Sequence, residues 1–345
     1  LSARGRSAFG GKVRKSEGYK VRKVHFQKLR DTMAKRSFLI VSLAILCFTF
    51  SQTRGDTGDG GYAGAFQQLG LGARALGMGG AFVGVADDAT AGFWNPAGLV
   101  QIKTRTFGAF FRKMTLDRRL SYVIYCQPVR NEATISMSWI NAGVSDVMGR
   151  NEEGEITEEI KNYENAIEFF FARKILKELS AGVRLGYVQQ NLANINAYGI
   201  GFGFSVFGKP LQELRLGAAV ENLGMKYSWT SGEYWKKHGL LGSSSKDEFP
   251  INLRFGASYL LLDDRILLCS EIDKNTKQKE KIHLGIEGWI LQSLAGRAGY
   301  NKGGWTLGMG LKHEMRSAIL GFDYAFVSSR VDDDPDHLIS FQLEF

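Results

Sequence analysis

From about residue 100 onward, apolar residues recur at every second position, and this period of two constrains the fold more than any other feature. Leu179, Ala181, Val183, Leu185 and Tyr187 alternate with Ser180, Gly182, Arg184 and Gly186. Ile251, Leu253, Phe255, Ala257 and Tyr259 face away from Asn252, Arg254, Gly256 and Ser258. No helical stripe of comparable length competes. The pattern predicts fourteen strands, near 104–113, 119–127, 131–142, 163–173, 178–191, 194–208, 213–222, 249–260, 264–274, 279–290, 292–301, 303–313, 315–326 and 335–345.

A soluble sandwich shows the same alternation, but three features oppose it. The polar phase carries full charges: Glu168, Arg184, Arg215, Glu221, Arg254, Glu271, Glu287, Arg297, Lys312 and Asp323. A dry sandwich core has no partners for so many charges, whereas a wet lumen does. The longest predicted connections, 143–162, 223–248 and 327–334, all fall on one side of the sheet, as in outer-membrane barrels. The chain closes on an alternating strand ending in Phe341, Leu343 and Phe345, which resembles the signal read by the barrel-assembly machinery. The expectation is all-β: a transmembrane antiparallel β-barrel of about fourteen strands over 104–345, in contact with outer-membrane lipid. A closed barrel is required because lipid leaves no sheet edge satisfied.

The net charge of +9 is concentrated at the start. Residues 1–36 hold twelve Lys and Arg against Glu17 and Asp31, and the rest of the chain is near neutral. The basic balance therefore gives no support to nucleic-acid binding. Met33-Ala34-Lys35-Arg36 followed by the apolar run 38–50 reads as a signal peptide over 33–55, implying export to the outer membrane of a Gram-negative-type cell. Residues 1–32 form an upstream or disordered basic segment. Cys126 and Cys269 are then the two remaining thiols, paired or free.

Between leader and first strand lies LGLGARALGMGGAFVGVADDATAGFWNPAGL, residues 69–99. It lacks the Lys-Ser/Thr of a phosphate loop and sits in no βαβ unit, so a nucleotide site is excluded. Its glycines let the backbone approach a wall closely, Pro96 holds Asn95 extended, and the Asn95 side chain suits local backbone bonds. Arg74, Asp87 and Asp88 are expected to pair with charges on an inner wall. The segment 56–103 is free to fold inside the lumen, and its chemistry is compatible with a plug in which Arg74, Gly79, Gly80, Asp87, Asp88, Trp94, Asn95, Pro96, Ala97 and Gly98 form a structural or gating motif.

These same residues resemble the N-terminal signature of the PorV/PorQ group of outer-membrane proteins, related to the FadL-type transporters of hydrophobic compounds. The resemblance implies a fourteen-stranded barrel with a lumenal hatch. From PorV-like members it implies a role in protein secretion or surface attachment of type IX kind, with secretion-system subunits or cargo as partners. From FadL-like relatives it implies the alternative: passive transport of a hydrophobic ligand past the hatch and through an opening in the wall. A charged lumen disfavours a greasy channel, which tips the expectation toward secretion.

No catalytic constellation stands out. His238, His283, His313 and His337 have no Ser/His/Asp spacing around them, and no Cys/His cluster marks a metal. The expectation is a non-enzyme with no cofactor. Tyr227, Trp229, Tyr234 and Trp235 in the connection 223–248 fit either an outward binding groove or an interfacial girdle.

Overall fold

The computed structural model describes residues 61–345 apart from 131, 146, 194, 233–241, 302–303 and 329–334. The expected leader at 33–55 and basic segment at 1–32 lie outside the described residues, as do Tyr234, Trp235 and His238.

Among the described residues, eighteen strands follow the N-terminal segment. β1 (Thr106–Lys113), β2 (Arg118–Val129) and β3 (Ala133–Val144) lead into a small hairpin, β4 (Met148–Arg150) and β5 (Ile156–Glu159). β6 (Asn162–Leu176), β7 (Leu179–Leu192), β8 (Ile195–Gly208) and β9 (Leu214–Leu223) precede a second hairpin, β10 (Lys226–Thr230) and β11 (Ser244–Glu248). β12 (Asn252–Leu261), β13 (Ile266–Asn275), β14 (Lys281–Leu291), β15 (Leu294–Asn301), β16 (Gly304–Glu314), β17 (Ile319–Val327) and β18 (Asp336–Glu344) complete the chain.

Fourteen of these strands form one closed ring. Each pairs with its antiparallel neighbour, β8 with β9 and β9 with β12 across the second hairpin, and β1 closes against β18. All fourteen correspond one to one with the alternating segments of the sequence. The β1–β18 seam is fastened along its full length, from Thr106 opposite Glu344 to Lys113 opposite His337, and the Phe345 amide donates to the Arg105 carbonyl at 2.9 Å. The two hairpins lie in the long connections, and β10–β11 hangs from the far end of β8, where Trp229 faces Ala197.

The period of two sorts the side chains as expected. Ile200, Phe202 and Phe204 of β8, Leu284 and Ile286 of β14, and Leu307 and Met309 of β16 all point out and stay exposed, Phe204 at 53%. An apolar belt of this kind faces lipid, and among the described residues no helix is long and apolar enough to cross a membrane. Crossing is by strands.

Long connections, 145–161, 224–251 and 328–335, fall at one end, and turns of five residues or fewer at the other. Among the described residues, the ladders of the ring are regular except at three places: beside the turns of β6–β7 and β14–β15, and in mid-wall between Phe202 and Phe204 of β8. There β9 leaves its neighbour. Asn222 and Gly224 adopt left-handed φ of 64° and 70°, and the chain turns inward. Met225 then packs over the inward glycines Gly186 and Gly201 before β10 rejoins β8. Tyr227, read as a groove or girdle residue, is neither: it is buried against Phe249, its hydroxyl donating to Glu164 at 3.1 Å.

Candidate functional site: a hatch seated in the lumen

The hatch is built of short turns. Helical turns span Ala73–Gly77 and Ala91–Trp94, with 3-10 turns at Ala65–Leu69 and Pro96–Gln101. Between Gly70 and Leu99, only Arg74, Asp87 and Thr90 are not buried. Such short elements lack a stable apolar face of their own, so their order comes from the wall.

Backbone contact with the wall is close because glycine meets glycine. A Cβ on Gly79, whose φ is +70°, would lie 2.6 Å from the Tyr300 carbonyl oxygen, and a Cβ on Gly84 2.8 Å from the Ala257 amide nitrogen. The facing wall residues Gly299 and Gly256 are equally bare. This is the physical reason for the glycine-rich spelling of 70–84.

Polar wall positions capture the orphan backbone groups of the hatch. Glu271 accepts from the amides of Phe82 and Val83, both at 2.8 Å. Thr306 Oγ1 accepts from Gly79 at 3.0 Å and donates to the Gly77 carbonyl at 3.1 Å. Ser340 Oγ accepts from Ala73, Ser258 Oγ donates to the Gly84 carbonyl, and His283 Nδ1 reaches the Gly79 carbonyl at 2.8 Å. His283 is thus a clamp on the hatch.

Asn95 is wholly buried, at φ −157° and ψ 93°, the extended geometry that Pro96 imposes. Its Nδ2 donates to the carbonyls of Val83 and Val206 at 3.0 and 3.1 Å, and its Oδ1 accepts from the Ala97 amide, which Ser205 shares. One side chain therefore ties two stretches of hatch to β8. Trp94 donates to the Leu71 carbonyl at 2.9 Å and meets Phe93 edge-on, while Gly98 lies against Ala86. Gly80 lies near the His283 and Trp94 rings.

Charges complete the seat. Arg74 grips Glu287 of β14 with two parallel bonds of 2.8 Å and also donates to Asp87 at 2.6 Å and Asp88 at 3.3 Å. Asp87 receives Arg215 of β9 at 2.8 Å, and Glu287 also receives Arg297, which bonds Asp323 at 2.7 Å. Burial opposes charge on Arg74, but Asp87 and Glu287 outweigh it and raise its pKa well above the ordinary value. Burial likewise opposes ionisation of Asp87, yet Arg74 and Arg215 hold its carboxyl below the usual range. In Asp88 burial prevails and the carboxyl is pushed up; it accepts from the Thr90 amide and hydroxyl in a local turn.

A second network lies within the wall. Arg184 bonds Glu168 and lies 3.4 Å from Glu221, which Arg254 also approaches at 3.4 Å. Arg254 stacks over Phe93 and Trp94 of the hatch at 5.2 and 5.1 Å. Most of the inward charges of the sequence are therefore engaged in seating the hatch or with one another, with Arg74, Asp87 and Asp88 meeting one another and the wall charges Glu287 and Arg215. The expectation that a charged lumen disfavours apolar cargo does not count this pairing.

Among the described residues, a chamber lies at each end of the hatch. The outer, of about 220 Å³, lies at the long-loop end, bounded by Leu69, Leu76, Trp94, Met114, Arg254 and Asp273 among others. The inner, of about 320 Å³, lies at the short-turn end against Arg74, Asp87, Arg215, Glu287 and Arg297. Cys126 and Cys269 are buried and free. Among the described residues no group of His, Cys, Asp and Glu is arranged to hold a metal.

Every expected hatch residue thus falls in one lumenal body, with Phe341 and Phe345 exposed on the outer surface beside the seam. The sequence reading missed the wall partners Ser205, Ser258, Thr306 and Ser340, whose signal is a small hydroxyl in the inward phase.

Fold and seat together define a plugged fourteen-strand transmembrane β-barrel. No known family profile matches the chain, and no curated protein matches it by sequence. Solved structures do. The toluene transporter TbuX of Ralstonia pickettii is similar with a TM-score of 0.56 and 14% identity, over 81% of this chain and all of that one. The toluene transporter TodX of Pseudomonas putida gives 0.57 and 12%, over 79% and 97%. A FadL homologue of Pseudomonas aeruginosa gives 0.54 and 11%, over 80% and 98%. At these identities the shared property is the fold.

Proposed function

We propose that this protein is an outer-membrane channel for the passive passage of small hydrophobic compounds, exported through a leader at 33–55. The observation that carries this is the outer chamber, floored by Leu69, Leu76 and Trp94 at the long-loop end of the hatch. Its lining is mixed, with Arg112, Arg118, Arg254, Asp273, Lys281 and His283 around that apolar floor, and a concave site with an apolar floor and a set of orienting polar groups suits a small ligand. The fold shared with the toluene transporters supports the same reading. The opening in the wall that such passage needs is assigned to the interrupted β8–β9 ladder. There the strand bonds lapse, Met225 covers bare inward glycines, and Ile200 and Phe202 face lipid.

Uptake of radiolabelled toluene by Gram-negative cells lacking their own hydrocarbon channels tests this. Expression of the folded barrel should raise the initial rate, and Met225→Ala should raise it further. An unchanged rate with the barrel correctly assembled refutes the proposal. A secretion role rests on the resemblance of residues 69–99 and on the exposed acidic tip of the β4–β5 hairpin, Glu152, Glu153 and Glu155. Stoichiometric recovery of translocon subunits or cargo with the tagged protein would favour it instead.

A further inference from the structure

Arg254 and Asp273 stand directly opposite one another on β12 and β13, both pointing inward. Both line the outer chamber, at 3% and 8% exposure. Among the described residues, Arg254 Nε and Nη1 have no acceptor and Asp273 Oδ1 has no donor. Arg184 Nε, Arg215 Nε and Glu221 Oε1 are also without hydrogen-bond partners, but none of these three residues lines the outer chamber, where the unspent donor and acceptor of Arg254 and Asp273 stand on one wall and point to a ligand group.

That group must accept from a guanidinium and donate to a carboxylate. A hydroxyl does both. A carboxylate only accepts, so it leaves Asp273 Oδ1 without a donor even though Arg112, Arg118 and Lys281 of the same lining attract its charge; a hydrocarbon leaves both atoms unsatisfied. The chamber of about 220 Å³ is smaller than the ~300 Å³ at which drug-sized pockets begin, which limits the ligand to a single ring. Trp94, Leu69 and Leu76 supply the apolar surface for that ring.

We propose that the outer chamber is a binding site for small hydroxylated aromatic compounds, with the ligand hydroxyl bridging Arg254 and Asp273 and the ring lying on the hatch. This rests on the chamber being the entrance of the channel and names its preferred substrate class.

Equilibrium dialysis of the full-length protein in lipid nanodiscs, with empty nanodiscs subtracted, compares p-cresol, toluene and benzoate. The unaltered protein should bind p-cresol at least about tenfold more tightly than toluene, the equivalent of one buried hydrogen bond to a charged group, with benzoate weaker than p-cresol. Asp273→Asn should cost p-cresol roughly tenfold. Toluene bound as tightly as p-cresol, or benzoate bound more tightly, overturns the inference while leaving toluene uptake standing. So does full p-cresol affinity in Asp273→Asn. If neither ring binds, the inference fails, and the uptake assay decides passage separately.

Discussion

Replacing Arg74 by Met removes the one hatch side chain that reaches three carboxylates while keeping its apolar bulk. Glu287 keeps Arg297 and Asp87 keeps Arg215, but Asp88 loses its only cationic partner. Breaking a buried ion pair costs ~3–5 kcal/mol, mostly because the orphaned charge stays buried. Arg74 retains 16% of its side-chain surface in solvent and two of the three acids keep a second partner, so the low end applies, about 3 kcal/mol. At 1.4 kcal/mol per decade, the population with the hatch unseated rises roughly a hundredfold. The amide of Val83 reports on this directly, since its acceptor is Glu271 of the wall, and that of Phe82 shares Glu271 with the Gly80 carbonyl of the hatch. Hydrogen exchange at these amides should accelerate about a hundredfold in Arg74→Met, with β-ladder amides unchanged. Adding Asp88→Asn should recover part of the loss, because the neutral amide no longer leaves a charge behind. Exchange within threefold of the unaltered protein would show that glycine contacts and backbone capture alone hold the hatch.

Asn95→Ala leaves the Val83 and Val206 carbonyls without their donor in a dry site, so thermal unfolding followed by gel mobility should show a loss of about 1–3 kcal/mol. Because the folded Asp87 carboxyl titrates below its ordinary 3.8, its contribution to seating is fully present above that value and is lost as pH falls through the lowered one. Hatch exchange in the unaltered protein should therefore hold steady from neutrality to about pH 4 and quicken below it, and Asp87→Asn should flatten that acid step. Deleting Phe345 should lower the yield of assembled barrel in cells without slowing refolding of the purified chain into detergent; equal yields would refute its role in insertion.

The wall was legible in the sequence because lipid outside and charge inside impose a period of two on every crossing strand. The hairpins β4–β5 and β10–β11 were not. The tip of β4–β5 and all of β11 are exposed, so nothing forces Glu152, Glu155, Lys246 or Asp247 to alternate with apolar partners, and the alternation of Tyr227 and Trp229 in β10 is only five residues long. The hatch was legible as a body, through its glycines and Asn95-Pro96, but its seat was not. Glu271 was recognisable as an inward charge, yet nothing in the sequence near it announces that its partners are two backbone amides of the hatch. Likewise, pairing of Arg74, Asp87 and Asp88 with wall charges was foreseeable in kind, but only the fold shows which charges meet.

The plug is made first and its sockets last. Ala73 finds Ser340 across 267 residues of chain, Arg74 finds Glu287 across 213, and Phe82 finds Glu271 across 189. Loops this long close late, after neighbouring hairpins have zipped. The leading segment therefore waits, unsatisfied, while the strands that will hold it are still being synthesised. An assembly intermediate with a nearly complete wall and a dangling N-terminal arm follows from this order of manufacture, and keeping that arm from sticking elsewhere becomes a task for whatever escorts the chain across the periplasm.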